Sequence, residues 1–362
     1  AVFKLDGNAQ VLDQWFGKTV ILSNRRFTYE EAQVMIEGAE GDYRKEILQL
    51  NGLARKLREE RFKNGAIDFD RVEVKFELDE QGKPLGVYFK QSKEANKLIE
   101  EFMLLANKKV AECVGKIKRG QKPKTFVYRI HDKPMDDKLE EFNNFVAKFG
   151  YGLKLTSRKS LTTSMNKLMQ EVKNRPEQNM IETLAVRTMA KAVYSTVNIG
   201  HYGLAFDYYT HFTSPIRRYP DLAIHRILSS YCENPDAGEM QKRYGTFVAD
   251  AATQSSETEV QAIMIERDCD DCYKAEYMQQ HLGEIFDGIV AGVTDFGFYV
   301  ALPNTVEGLV HVASLPDSDW INDDSIAFRE EQGDKCYRLG DTVRVPVSYT
   351  HLRAHETRHD LV

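Results

Sequence analysis

The chain has 362 residues, of which 42% are hydrophobic and 29% charged, and its formal net charge is −6. That length holds two or three domains with full-sized cores, and that composition belongs to a globular protein rather than a disordered or fibrous one. The negative balance excludes a uniformly basic nucleic-acid binder but leaves room for a local basic channel inside an acidic surface. No apolar run reaches the length of a membrane span, so neither a transmembrane helix nor a membrane partner is expected. The five cysteines (Cys113, Cys232, Cys269, Cys272 and Cys336) are odd in number and scattered. This argues against a disulfide framework and for a reducing, cytoplasmic location. The chain opens AVFKLDGNAQ, with neither an initiator Met nor a signal peptide, and reads as an interior piece of a longer protein.

Taken in chain order, Ile47, Leu48, Leu50, Leu53, Ala54 and Leu57 recur at helical spacing and predict a helix over 43–63. Val72, Val74, Phe76 and Leu78 alternate with charged residues as a half-buried strand. A turn over 79–83 and a returning strand over 85–89 complete a hairpin. Residues 94–116 form a second amphipathic helix, 126–130 a short strand, 138–149 a helix and 180–194 a further helix. The stretch 253–280 reads as one charged helix. The order is mixed α+β. From Gly283 the composition changes: GEIFDGIVAGVTDFGFYVAL, VEGLVHVASL and LGDTVRVPV are rich in β-branched and aromatic residues with glycines at turns, as in a small β-barrel.

The segment 201–228, HYGLAFDYYTHFTSPIRRYPDLAIHRIL, concentrates the chemistry. Ser214 is placed to cap a helix with Pro215 at its first position, which puts Arg217 and Arg218 in the first turn. Cations there oppose the helix dipole unless an anion sits in front of them. A phosphate would resolve the conflict, held by free backbone N–H groups and a guanidinium fork. Tyr208, Tyr209, His211 and Phe212 lie just upstream, where their rings could stack on bases. The residues alone leave two readings open: a grip on a nucleic-acid backbone, or a helix start whose arginines pair with carboxylates elsewhere. Asp221 and His225 are one turn apart and can bond to each other, a role in fixing the helix. Arg129 and His131, in VYRIHDKP, fit either a channel wall or a structural role.

This segment resembles the distinctive motif of the ribonuclease II/ribonuclease R family, whose catalytic domain is called RNB. WFGKTVI, RRFTYEEAQ, LIEEFMLLAN and TFVYRIHDKP resemble the same family in the same order, and the resemblance covers residues 1 to about 347. It implies an α+β RNB domain over 1–280, incomplete at its N-terminus, and an S1-type OB barrel over 282–347, incomplete at its C-terminus. The implied activity is processive, hydrolytic degradation of single-stranded RNA from the 3′ end, releasing nucleoside 5′-monophosphates, by a monomer using magnesium. The family's metal-binding aspartates would precede Ala1; the nearest carboxylates, Asp6 and Asp13, lack the clustering that hard cations require. The fragment itself is therefore expected to be inactive, with no metal site assignable to its residues.

By the same resemblance, Arg217 holds the scissile phosphate and Glu266 lies near the 3′-terminal nucleotide. Tyr29 clamps the last nucleotide, Phe69 closes the base stack and Glu100 touches a ribose. Tyr208, His211 and Arg218 complete the RNA-binding set in the main domain. Phe296, Phe298 and His311 match barrel positions whose rings face RNA. Alternation puts Phe296 and Phe298 on one strand face, either both in the core or both out, and the resemblance favours both facing outward. For Glu266 and Phe69 the residues alone read as a solvated helix face and an ordinary strand residue.

Two motifs are set aside. Cys269 and Cys272 form CDDC, but no second pair follows to complete four zinc ligands, so they are read as helix residues. HETRH near the end matches a zinc-protease pattern, yet no chain remains for a third ligand. The segment 348–362, SYTHLRAHETRHDLV, is expected to be a non-native, disordered tail resembling translated adapter sequence. An alternative to the enzyme is a non-catalytic RNA-binding relative whose aspartates are naturally absent.

Overall fold

The computed structural model describes residues 1–67, 73–90, 92–117, 120, 123–173, 175, 177–233, 236–304, 306–315, 319–323, 327–331 and 333–348. In chain order, the hairpin β1 (Val2–Leu5) and β2 (Val11–Trp15) leads to helices α1 (Tyr29–Ile36) and α2 (Arg44–Lys63). The hairpin β3 (Glu73–Leu78) and β4 (Pro84–Lys90) precedes α3 (Glu94–Gly115). Strand β5 (Tyr128–Ile130), helices α4 (Asp136–Ala147), α5 (Arg158–Glu171) and α6 (Gln178–Thr188), and strand β6 (Val193–Ser195) follow. Then come α7 (Tyr219–Glu233) and α8 (Ala237–Gln279). The chain continues through β7 (Ile285–Thr294), β8 (Gly297–Ala301), β9 (Glu307–His311), β10 (Trp320–Asp323), β11 (Ala327–Glu330), β12 (Cys336–Arg338) and β13 (Thr342–Pro346).

Three apolar cores hold these elements. Leu139, Phe142, Met165, Leu168 and Ile181 gather α4, α5 and α6. Val110, Val114, Phe126, Tyr194, Ile224 and Val248 join α3, β5, β6, α7 and the first part of α8, and this second core carries the segment 206–218 on its edge. The third core fills the C-terminal strands with Phe298, Phe328, Val290 and Val300, and reaches Met278 on α8 and partly buried Phe145 and Phe149 beside α4. The strands form a four-stranded sheet in the order β13-β7-β8-β9 and a three-stranded sheet β10-β11-β12. Together they make a half-barrel where the sequence predicts an S1-type OB barrel over 282–347.

Helix α8 is 43 residues long, about 65 Å at 1.5 Å per residue, and only its second half showed in the sequence. The first half buries small and mixed residues (Val248, Ala251, Ala252, Ser255), which gives a faint periodicity. The helix expected over 180–194 stops at Thr188, and Val193–Ser195 instead pairs with Tyr128–Ile130. A β-branched residue beside an aromatic favours a pleated strand once a partner edge is present.

The two rings expected on one face of the barrel separate. Phe298 is 2% exposed and packs against Phe328 and Tyr337, with ring centroids 6.2 and 4.6 Å away. It belongs to the core, so the outward assignment of Phe298 is corrected. Phe296 lies in the turn before β8, half-buried, 6.5 Å from the exposed His311 ring and nearly parallel to it. The break in alternation comes from Gly297, whose φ of +145° re-aims the chain. A Cβ there would meet the Val310 carbonyl oxygen at 2.2 Å, so only glycine lets β8 approach β9 this closely.

Candidate active site and RNA-contact surface

The segment 206–218 is laid along β5 and pinned from several sides. Arg129 N–H donates to the Tyr209 carbonyl at 2.9 Å, and the buried Thr210 hydroxyl donates to the Val127 carbonyl at 2.8 Å. Gly115, at the end of α3, has no Cβ, and a Cβ there would strike the Tyr208 ring at 2.6 Å. The Lys116 ammonium lies 5.9 Å from the centre of that ring. Tyr208 therefore stays half-buried at the rim, whereas Tyr209 is 4% exposed.

Helix α7 does not start where the serine and proline suggested. Ser214–Arg217 form a turn, with the Ser214 carbonyl accepting from Arg217 and Arg218 N–H at 3.3 and 3.1 Å, and the helix begins at Tyr219. The reason is Asp221, which is fully buried. Its Oδ1 takes the Ser214 N–H at 2.8 Å and the Arg218 guanidinium at 3.0 Å. The acid in the first turn of the helix thus captures the amide, and Pro215 takes the second position of a tight turn, where its fixed φ is equally welcome. Asp221 and His225 do not bond to each other. His225 contacts the Phe212 carbonyl at 2.9 Å and stacks on the Phe212 ring at 4.3 Å.

Three cations converge on this corner, and two are already neutralised. Arg129 forks onto Glu259 of α8 at 2.6 and 3.1 Å and lies 4.6 Å over the Tyr194 ring. Arg218 is tied to Asp221. Both arginines are held by the protein itself. Arg217 is exposed and has no hydrogen-bond or ion-pair partner among the described residues. Of the two adjacent arginines, Arg217 presents its fork to solvent and Arg218 braces the turn that carries it.

His211 is turned inward rather than offered as an open stacking platform. Its Nδ1 lies 2.8 Å from the Tyr194 hydroxyl, and burial, with Arg218, Arg129, His201 and Arg217 around it, lowers its pKa to about 2. Burial beside His131 and Arg129 lowers His201 from 6.5 to about 3. His131 is structural too, with its ring nitrogens 2.8 Å from the Ala190 carbonyl and 2.9 Å from the Gly203 N–H. These rings are neutral when folded and take up protons on unfolding below 6.5, so the stability they contribute is present above 6.5 and lost as pH falls towards 3. The melting temperature is therefore expected to fall progressively below pH ~6.5, and His211→Gln to flatten that dependence. An identical slope in the variant would contradict it.

Three other candidates sit on helices, Glu266 on α8, Glu100 on α3 and Tyr29 on α1. Glu266 is exposed on α8, seven residues beyond Glu259. Two helical turns put it on the same face, about 10 Å along the axis. Glu100 is exposed on α3, seven residues before Asn107, which contacts the segment 209–213. Tyr29 is the first residue of α1 and 45% exposed. It is fixed by a capping box in which Thr28 and Glu31 exchange bonds of 2.8 and 3.1 Å. Phe69 lies outside the described residues. Phe296 and His311 stand on the barrel, away from the Arg217 turn in sequence. Phe296→Ala is expected to weaken RNA affinity by about 1–3 kcal/mol, the worth of one stacked base, at unchanged melting temperature. Unchanged affinity in a fluorescence-anisotropy titration would remove it from the contact surface.

Two residues hold the corner in place without any expectation from the sequence. Asn107 and Glu259 both bear on the corner, and Asn107 carried a signal: a polar amide within the apolar stripe Leu104, Val110, Val114 of α3. Among the described residues, no group of three or more His, Cys, Asp or Glu side chains is arranged to hold a metal ion. Asp6 instead accepts from Asn8 and Gln10 N–H, both at 2.8 Å, in the β1–β2 turn. The described residues do not gather the carboxylates that a two-ion centre needs.

The model of the RNB domain matches residues 1–234, and that of the S1 RNA binding domain matches residues 279–351. The chain belongs to the RNB family. Among its RNB relatives, ribonuclease R 1 of Lactococcus lactis is 34% identical over 96% of this chain and 43% of its own length. Ribonuclease R of Thermotoga maritima is 35% identical over 99% and 50%. The chain thus spans about half the length of these relatives. The structure of Mycoplasma genitalium RNase R in complex with ribose methylated single-stranded RNA superposes with a TM-score of 0.86 at 24% identity. That match covers 97% of this chain and 55% of that one, and shows the same RNB fold.

Proposed function

We propose that this chain is the RNA-gripping part of a hydrolytic 3′→5′ exoribonuclease that releases nucleoside 5′-monophosphates processively from single-stranded RNA. The observation that carries the reading is Arg217, the exposed guanidinium at a corner where the neighbouring arginines are held by Glu259 and Asp221. A cation fixed by a braced turn, without a carboxylate partner among the described residues, is suited to charge that develops on a phosphate during hydrolysis. Arg217 holds the scissile phosphate, Glu266 approaches the terminal nucleotide from α8, Glu100 contacts a ribose from α3, and Tyr29 with Phe69 limits the bound bases. Contacts of this kind go to backbone, sugar and ring faces, so little base preference is expected. Magnesium is the proposed cofactor of the complete enzyme.

The five cysteines are free, and among the described residues no helix is long and apolar enough to cross a membrane. Free thiols fit the reducing compartment that the proposal assigns to the enzyme, the cytoplasm, where it is proposed to act as a monomer. The test is the full-length gene product incubated with RNA labelled at either end. Early release of label from the 3′ end as mononucleotide, with the 5′ label retained in shortening products, is expected. Internal cuts, or binding without cleavage, would overturn the reading, the latter in favour of a non-catalytic relative. Tyr29→Ala is expected to change the length of the shortest end product; an identical product ladder would remove Tyr29 from the clamp.

A further inference from the structure

We infer that Asn107 of α3 is the positioning residue that sets the frame of Arg217, an inference that rests on the proposed function. Asn107 is 3% exposed. Its Oδ1 accepts from Phe212 N–H at 2.9 Å and Thr213 N–H at 3.2 Å, and its Nδ2 donates to the Tyr209 hydroxyl at 3.2 Å. One side-chain amide therefore grips both ends of the segment 209–213. The next amide, Ser214 N–H, ends on Asp221 Oδ1 at 2.8 Å. Three consecutive backbone donors are thus satisfied by two side chains from different helices, α3 and α7, and by no strand or helix ladder.

The arrangement has two consequences. Three residues beyond this anchor, the Arg217 turn closes on the Ser214 carbonyl, so the direction of the guanidinium is set by where Asn107 and Asp221 hold residues 212–214. Glu100 is also two turns from Asn107 on the same face of α3, so the amide ties a proposed ribose contact and a proposed phosphate contact to one rigid helix. An asparagine meets this need because it both accepts twice and donates once. Leucine has similar bulk and does neither. A carboxylate keeps the two acceptances and can take the tyrosine hydroxyl as a donor.

The test combines Asn107→Leu, Asn107→Asp, Arg217→Ala and the double variant Asn107→Leu/Arg217→Ala, all in the full-length gene product. Asn107→Leu is expected to speed hydrogen exchange at the Phe212 and Thr213 amides by about tenfold or more, the signature of local opening. It is expected to slow single-turnover cleavage of a short oligoadenylate by roughly 10- to 100-fold, as small misplacements of a reacting group do. RNA affinity should stay within about threefold. Asn107→Asp should recover the protection and part of the rate. The double variant should be no slower than Arg217→Ala, because nothing is left to position. A wild-type cleavage rate in Asn107→Leu, or losses that multiply in the double variant, would overturn the positioning role while leaving the proposed function standing. An unsubstituted protein that does not cleave RNA would overturn the proposed function, and the exchange rates would then still decide whether Asn107 anchors the segment. If Asn107→Leu fails to fold, Asn107→Ser, too short to span both amides, takes its place with the same expected results.

Discussion

Replacing Arg217 with alanine is expected to lower the single-turnover rate of RNA cleavage by the full-length gene product about 100- to 1,000-fold, with RNA affinity reduced by less than ~tenfold. The asymmetry follows from where the side chain sits. It is exposed and makes no bond within the described residues, so its loss leaves the fold within about 0.5 kcal/mol of the parent. A polymer held by many phosphate and base contacts loses little from one missing cation in the ground state. Hydrolysis concentrates charge on a single phosphate, where a preorganised fork acts most strongly. Lysine at this position keeps the charge and loses the fork, and should recover only part of the rate. Equal losses in rate and affinity would show a simple binding contact. By contrast, Arg218→Ala should destabilise the fold, because it strands the buried carboxylate of Asp221.

The largest loss of stability is expected at Glu101→Ala, about 3–5 kcal/mol. Glu101 on α3 and Arg61 on α2 are hydrogen-bonded to each other and only 4% and 8% exposed. Removing the carboxylate leaves a guanidinium buried without its counter-charge, and its Nε already has no hydrogen-bond partner among the described residues. The surface pairs that Arg55 and Arg58 make with Glu94 at 2.7 and 3.1 Å join the same two helices, but water screens them and they contribute far less. Replacing both members of the buried pair with apolar residues of similar volume should cost much less than the single change, because no charge is then stranded. Chemical denaturation of the single and double variants decides the point. A double variant as unstable as Glu101→Ala would show that the loss comes from packing instead.

Much of the frame was legible because its signals are local. The alternation of Val74, Phe76 and Leu78 and the turn that follows them gave the β3–β4 hairpin. The helical spacing of Ile47 and Ala54 gave α2, and the amphipathic stretch 94–116 gave α3. What failed was decided by contacts remote in sequence or by one backbone angle. The serine and proline were read as a helix start, yet Asp221 draws the Ser214 amide away and delays the helix to Tyr219. Phe296 and Phe298 were placed on one face by counting along a strand, and the positive φ of Gly297 separates them. The residues alone leave the twin arginines alike, the family resemblance singles out Arg217, and the carboxylate brought up against Arg218 supplies the physical difference. Asn107 and Glu259 belong to the site through residues about 100 and 130 positions away, a distance that no local pattern spans.

The most direct test of the Arg217 assignment is a crystal structure of the protein with a short single-stranded oligoribonucleotide. A backbone phosphate within hydrogen-bond reach of the Arg217 guanidinium, with Arg218 still paired to Asp221, is the expected result. RNA bound elsewhere, with Arg217 left facing solvent, would contradict it.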